Sequence, residues 1–217
     1  NTNFEQFSLN SKDTVTEFKQ KIFDSMIGNL LNIKEQLDSE TLENAINTLA
    51  KARRVEFYGF GASAPVCTDA AHKFHRLKVA SVSHSDPHMQ AISAVALDER
   101  DVVVAISQTG RTKDLLHTVK LVKESGTTVI TLCPSNTPLA DLASIPIFID
   151  LEEDKDLSTL MSSRVLHLVV IDVLAVGVAM KLGPGLIDHL KTIKRSLRSL
   201  RQNDKRLPLR SIPDTEE

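Results

Sequence analysis

A chain of 217 residues, 41% hydrophobic and 25% charged, can bury one substantial core but has little room for two independent domains. Its formal net charge of −2 excludes a globally basic nucleic-acid binder and gives no general pull toward an anionic membrane. Two cysteines, Cys67 and Cys133, without framework spacing argue against a disulfide-stapled fold; with no signal-peptide pattern visible, they point to the reducing cytoplasm.

Residues 1–10 carry no periodicity, and the opening Asn1-Thr2-Asn3, without a methionine, reads as part of something longer. From Ser11 onward Val15, Phe18, Ile22, Met26, Leu30, Ile33 and Leu37 recur every three or four positions, which predicts one stripe of a long helix. Ser39 offers an N-cap to a second helix carrying Leu42, Ile46 and Leu49. We take residues 1–50 as a helical arm, 51–200 as the main domain, and 201–217, with Pro208 and Pro213, as a loose tail.

From Arg54 short apolar runs alternate with helical stretches. Strands are predicted at 55–60, 79–83, 102–106, 128–132 and 145–149, helices at 65–77, 88–97 and 112–124, and a proline-flanked connection before the last strand. The run 102–106 is short, β-branched and uninterrupted, the pattern of a strand buried on both faces of a parallel sheet. The expected fold is therefore α/β: a doubly wound, three-layer αβα sandwich with a five-stranded parallel sheet and extra helices at both ends. Such sheets bind ligands beyond the carboxyl ends of their strands at a topological switch point, which directs attention to the loops after the first and third strands. The last third reads as helices at 157–182 and 186–200, parted by Gly183-Pro184-Gly185. Segment 165–182 approaches membrane-spanning length, but Asp172 and His167 would be costly in lipid, so it is expected to be buried in protein.

The first of those loops is Gly59-Phe60-Gly61-Ala62-Ser63-Ala64, followed by Pro65 where a helix should start. Its glycines allow tight turning and close approach of the backbone to a ligand. The second, Ser107-Gln108-Thr109-Gly110-Arg111-Thr112, is rich in hydroxyls and opens a helix. The first turn of a helix has unpaired N–H groups and the positive end of the dipole, so this loop suits a phosphate. Two other readings stay open: Thr109 as an ordinary N-cap, and the first loop as the GxGxxA of a dinucleotide site with Asp86 as its ribose-binding acid.

The pairing of GxGxS with SxTGxT resembles the sugar isomerase (SIS) domain over about residues 53–182. The resemblance implies a phosphosugar site in which Ser63, Ser107, Thr109 and Thr112 supply hydroxyls, backbone around Gln108 and Gly110 assists, and Gly61 and Ala62 line the first loop. Thr109 stands where a serine is more usual and keeps the hydroxyl. KIFDSMIGNLLNIKEQLD, YGFGASAPVCTDAAHKF and SSRVLHLVVIDVLAV resemble RpiR-type bacterial transcription regulators, in particular repressors of hexose catabolism. That likeness implies a sensor of 2-keto-3-deoxy-6-phosphogluconate whose DNA contacts belong to an N-terminal helix-turn-helix domain not contained in this chain. It implies no cofactor, no metal and no membrane.

Such an effector has a carboxylate as well as a phosphate, and an arginine or lysine should meet it; Arg164, Lys73 and Lys155 are the candidates. An isomerase would instead need a base, and Glu152, Glu153, Asp154 and Asp156 cluster before the long helix. Cys67, Asp69, His72 and His75 invite a metal reading, but Cys67 and His72 are five apart on a helix and face different ways. His84 and His88 flank Pro87, which breaks the logic of a helical pair. The run Lys191, Lys194, Arg195, Arg198 and Arg201 alternates with leucines, as a solvated helix face does. The long apolar helices are expected to bury surface against a second copy, giving a homodimer or higher homo-oligomer.

Overall fold

A computed structural model describes residues 12–151 and 157–198. Strands β1 (Arg54–Tyr58), β2 (Ser81–His84), β3 (Asp101–Ile106), β4 (Thr128–Cys133) and β5 (Ile145–Phe148) form one all-parallel sheet in the order β2-β1-β3-β4-β5. Helices α1 (Val15–Gln36) and α2 (Ser39–Lys51) precede it. Helices α3 (Ala64–Arg76), α4 (Pro87–Ala94), α5 (Lys113–Glu124) and α6 (Pro138–Leu142) connect the strands, and α7 (Leu157–Leu182) and α8 (Gly185–Arg198) follow.

Alternation along each strand sorts the core into two layers. Val55, Phe57, Val102, Val104, Ile106, Ile130, Leu132 and Ile147 face α2, α3 and α7, whose Leu49, Phe74 and Leu174 fill that side. Tyr58, Val103, Ala105, Val129 and Cys133 face the other way, onto Leu115, Val119 and Val122 of α5 and Leu139 of α6. Each fully buried aliphatic side chain contributes about 1.5–3 kcal/mol, so these two layers are the chief favourable term in folding. The architecture is the doubly wound α/β sandwich that the strand pattern predicts.

The order places β1 beside β3, yet their outgoing helices leave on opposite faces: α3 packs in the first layer and α5 in the second. That divergence opens a crevice between the β1–α3 and β3–α5 loops, at the switch point of the sheet.

Local chemistry corrects several predicted boundaries. Asp38, rather than Ser39, caps α2 by accepting from Thr41 N at 2.7 Å. Strand β2 starts at Ser81 because Lys78 takes φ +64° at the end of α3. Val79 N then bonds Phe74 O at 3.1 Å, and Val79 is buried as the apolar residue that seals the helix end. The proline-flanked connection contains the short helix α6, capped by Thr137.

Segment Ser163–Leu182 of α7 is long and apolar enough to cross a membrane. Here Leu166, Val170, Ile171, Leu174 and Val178 are instead part of the core, and Asp172 pairs with Lys73 of α3 at 2.5 Å.

Candidate functional site

The first loop leaves the ladder after Tyr58. Gly59 is enclosed so tightly that a Cβ there would lie 2.8 Å from Cys67 Sγ, 3.1 Å from Ser63 Cβ and 3.1 Å from Ile106 O. One point thus touches both the Ser63 side chain and the carbonyl preceding Ser107, so the two predicted loops share a wall. Gly61, at φ +53°, starts a 3-10 turn over Gly61–Ser63. Ser63 occupies the N-cap of α3 without making a side-chain cap bond, and its hydroxyl has no partner among the described residues. Pro65 in the first turn of α3 has no N–H to satisfy.

The second loop is folded on itself. Ser107, buried, accepts from Gly110 N at 3.0 Å. Thr109 Oγ1, exposed, accepts from Arg111 N at 3.3 Å. Each hydroxyl that accepts still has its own proton to donate. Thr112 is the N-cap of α5 and makes no side-chain cap bond, so neither it nor Thr109 is the side-chain cap of that helix. Gly110, at φ +60°, leaves no room for a side chain: a Cβ would sit 2.6 Å from Thr137 Cβ. Gln108 is half-buried beside it. The crevice therefore carries hydroxyl donors on both walls, with no carboxylate in either loop. Donors alone suit an acceptor-only group such as a phosphate.

The other candidates belong to neither loop. Lys73 is held by Asp69 at 2.6 Å and Asp172 at 2.5 Å, deep along α3, and is not available to a ligand carboxylate at the loops. Arg164 is exposed two turns into α7 and has no ion partner among the described residues. Lys155 and the acidic run Glu152, Glu153, Asp154 and Asp156 fall outside the described residues. Asp86 is the N-cap of α4, its Oδ1 accepting from Met89 N at 2.9 Å. Cys67 is enclosed in the core, where burial pushes its thiol up to about 12, and among the described residues no three metal-ligating side chains converge. His88 opens α4 and is exposed. A cavity of about 780 Å³ is lined by His72, His75, Arg76, His189 and Ile193 at the C-terminal end of α3, remote from Ser63.

One cluster was not anticipated. Glu56 of β1, fully buried, accepts from Tyr58 Oη at 2.6 Å and Ser93 Oγ at 2.8 Å and pairs with Arg54. His84 Nε2 lies 3.7 Å from the same carboxylate, and its ring stands 5.9 Å from that of Tyr58. Burial and the neighbouring Glu56 charge raise the Tyr58 pKa, so its proton stays on the hydrogen bond. The sequence signal was a carboxylate at an inward-facing strand position, Arg54-Val55-Glu56-Phe57-Tyr58.

The SIS domain family model matches residues 48–177. HexR, an HTH-type transcriptional regulator of Escherichia coli K12, is 38% identical over 194 residues, covering 89% of this chain and 67% of that protein. The bifunctional protein glk of Paraburkholderia xenovorans LB400 is 40% identical over 184 residues, 85% of this chain but only 29% of that protein. The chain thus spans less than a third of the glk relative. Among solved structures, the Vibrio vulnificus NanR protein complexed with ManNAc-6P superposes with a TM-score of 0.79 at 22% identity, over 89% of this chain and 72% of that one. The sugar isomerase domain of an RpiR transcription factor from Sphaerobacter thermophilus gives 0.74 at 20% identity, over 82% and 99%. The chain is similar to RpiR-type regulators, and with more than half of its length matched by the family model it belongs to the SIS domain family.

Proposed function

We propose that this chain is a non-catalytic phosphosugar sensor within a bacterial transcription regulator of the HexR kind, and that its effector is a phosphorylated sugar acid such as 2-keto-3-deoxy-6-phosphogluconate. The observation that carries the reading is the pair of hydroxyl-lined loops meeting at Gly59, with Ser63 on one wall and Ser107, Thr109 and Thr112 on the other. The phosphosugar named with the NanR complex is consistent with that chemistry. The buried carboxylate on the strand beneath, Glu56, is engaged by Arg54, Tyr58 and Ser93 and is not poised to move a substrate proton. DNA contacts belong, on this reading, to a helix-turn-helix domain of the longer protein. Arg164 is the residue assigned to the carboxylate end of the effector.

Calorimetry tests this with 2-keto-3-deoxy-6-phosphogluconate and fructose 6-phosphate. Ser63→Ala and Ser107→Ala should each weaken both ligands about tenfold or more, since each removes a hydrogen bond to a charged group. Arg164→Ala should weaken only the keto acid. Equal loss of both ligands in Arg164→Ala removes that residue from the site. Interconversion of hexose phosphates by the pure protein would favour the rival reading, a phosphosugar isomerase using the acidic run at 152–156.

A further inference from the structure

We propose that Gln36, at the C-terminal end of α1, and Asp150, just beyond β5, form a latch that ties the arm helix to the Ser107–Thr112 loop, so that occupancy of that loop is felt by α1. The proposal rests on reading the loop as a phosphosugar site, and it assigns that site an output.

The loop has two sides. One meets Gly59 and Ser63; the other is pressed against the connection between β4 and α6. Gly110 O accepts from Leu139 N at 3.1 Å, and Arg111 Nη2 donates to Asn136 O at 3.3 Å. Thr137 lies against Gly110 with no space for a methyl group, and its hydroxyl is fixed by Pro134 O at 2.8 Å. Asn136 sits at φ +54°, so this connection is a tight, specified turn rather than a slack one. Its next residue back, Ser135, donates its N–H to Asp150 Oδ1 at 2.7 Å. The backbone of Asp150 is in turn bracketed by one side-chain amide: Gln36 Nε2 donates to Asp150 O at 3.2 Å, and Asp150 N donates to Gln36 Oε1 at 3.3 Å. A displacement of the loop at Gly110 or Arg111 thus reaches α1 through contacts that are each a hydrogen bond or a van der Waals touch.

Beyond this latch the arm packs beside α7 through one narrow face, with Leu30 partly buried against the core. Ile33 is the one fully buried residue of α1, while Val15, Phe23, Ile27 and Leu31 are each about half exposed or more. A helix so lightly anchored responds to small changes at its fixed end. A shared two-state element, rather than mere proximity, is what coupling requires, and α1 docked or released at Asp150 is that element.

The test is a double-mutant cycle on the 217-residue chain, read by amide hydrogen exchange of residues 31–37. Gln36→Ala and Arg111→Ala should each accelerate exchange there by about three- to tenfold, the effect of losing one or two exposed hydrogen bonds. The double variant should exchange no faster than Gln36→Ala alone, because both changes break the same chain of contacts. Multiplicative acceleration, or no effect of Arg111→Ala, overturns the latch. In a second arm, 2-keto-3-deoxy-6-phosphogluconate should alter exchange of α1 in the wild type and not in Gln36→Ala, with calorimetric binding kept in both. Binding accompanied by the same change in α1 for both proteins overturns the latch but leaves the phosphosugar reading intact. Failure of that compound and fructose 6-phosphate to bind overturns the reading, and the ligand-free cycle still decides the latch.

Discussion

His167 is enclosed among the inward-facing residues of α7, and its Nε2 has no hydrogen-bond partner among the described residues. Burial pulls its pKa down from 6.5 to about 4, because a charged imidazolium has nothing there to replace its hydration. The unfolded chain takes up this proton near pH 6.5 and the folded chain only near pH 4, so the contribution is fully present above pH 6.5 and is lost as the pH falls toward 4. The loss amounts to about 3 kcal/mol. Urea unfolding at pH 7.5 and pH 4.5 should therefore show a large drop in stability for the wild type and a drop smaller by about 2–3 kcal/mol for His167→Leu. Equal drops would mean that other groups control acid sensitivity. The site hydroxyls were legible at this scale because a strand, a small-residue turn and a helix start are all local signals. The Glu56 cluster was not, since Arg54, Tyr58, Ser93 and His84 are brought to that carboxylate from three elements and only the fold says which.

Elements were legible where their period was strong. The five strands and the longer helices follow from apolar alternation, whereas α6, only five residues long, is little more than one turn and offers no repeat of a helical period to read. Its importance is structural: Thr137 at its cap fixes the loop at Gly110. Gly110→Ala should accordingly cost about 2 kcal/mol or more, combining a positive φ with overlap on Thr137, and should abolish phosphosugar binding. Gly61→Ala also places a side chain at positive φ but into open space, so it should cost only about 1 kcal/mol. Thermal unfolding of the two variants compares them directly. Matching losses would show that contact with Thr137 is not what sets the loop.

At the scale of the whole molecule, the question is what covers the apolar faces left open. On α7, Val169, Val173, Val176 and Met180 fall on one helical face, with Val176 60% and Met180 77% exposed. On α1, which packs beside α7, Phe23 is 65% and Val15 70% exposed. Two neighbouring helices with their outer faces apolar exceed the scattered exposure normal for a monomer, and a self-complementary patch is the common solution in homo-oligomers. Sedimentation of the 217-residue chain at micromolar concentration should therefore give a dimer or larger assembly. The double substitution Val176→Asp with Met180→Asp should shift it to monomer, with its far-UV circular dichroism unchanged, since both positions lie outside the core. A wild-type monomer would leave these faces for a different partner. If the assembly forms, α1 lies both at the inferred subunit contact and at the latch on Asp150, so an effector seated between Ser63 and Ser107 would reach the neighbouring copy through the arm. A ligand shifts such an equilibrium only by its difference in affinity between the two arrangements. Gln36→Ala should therefore leave the dimer intact while removing any effect of ligand on its dissociation constant.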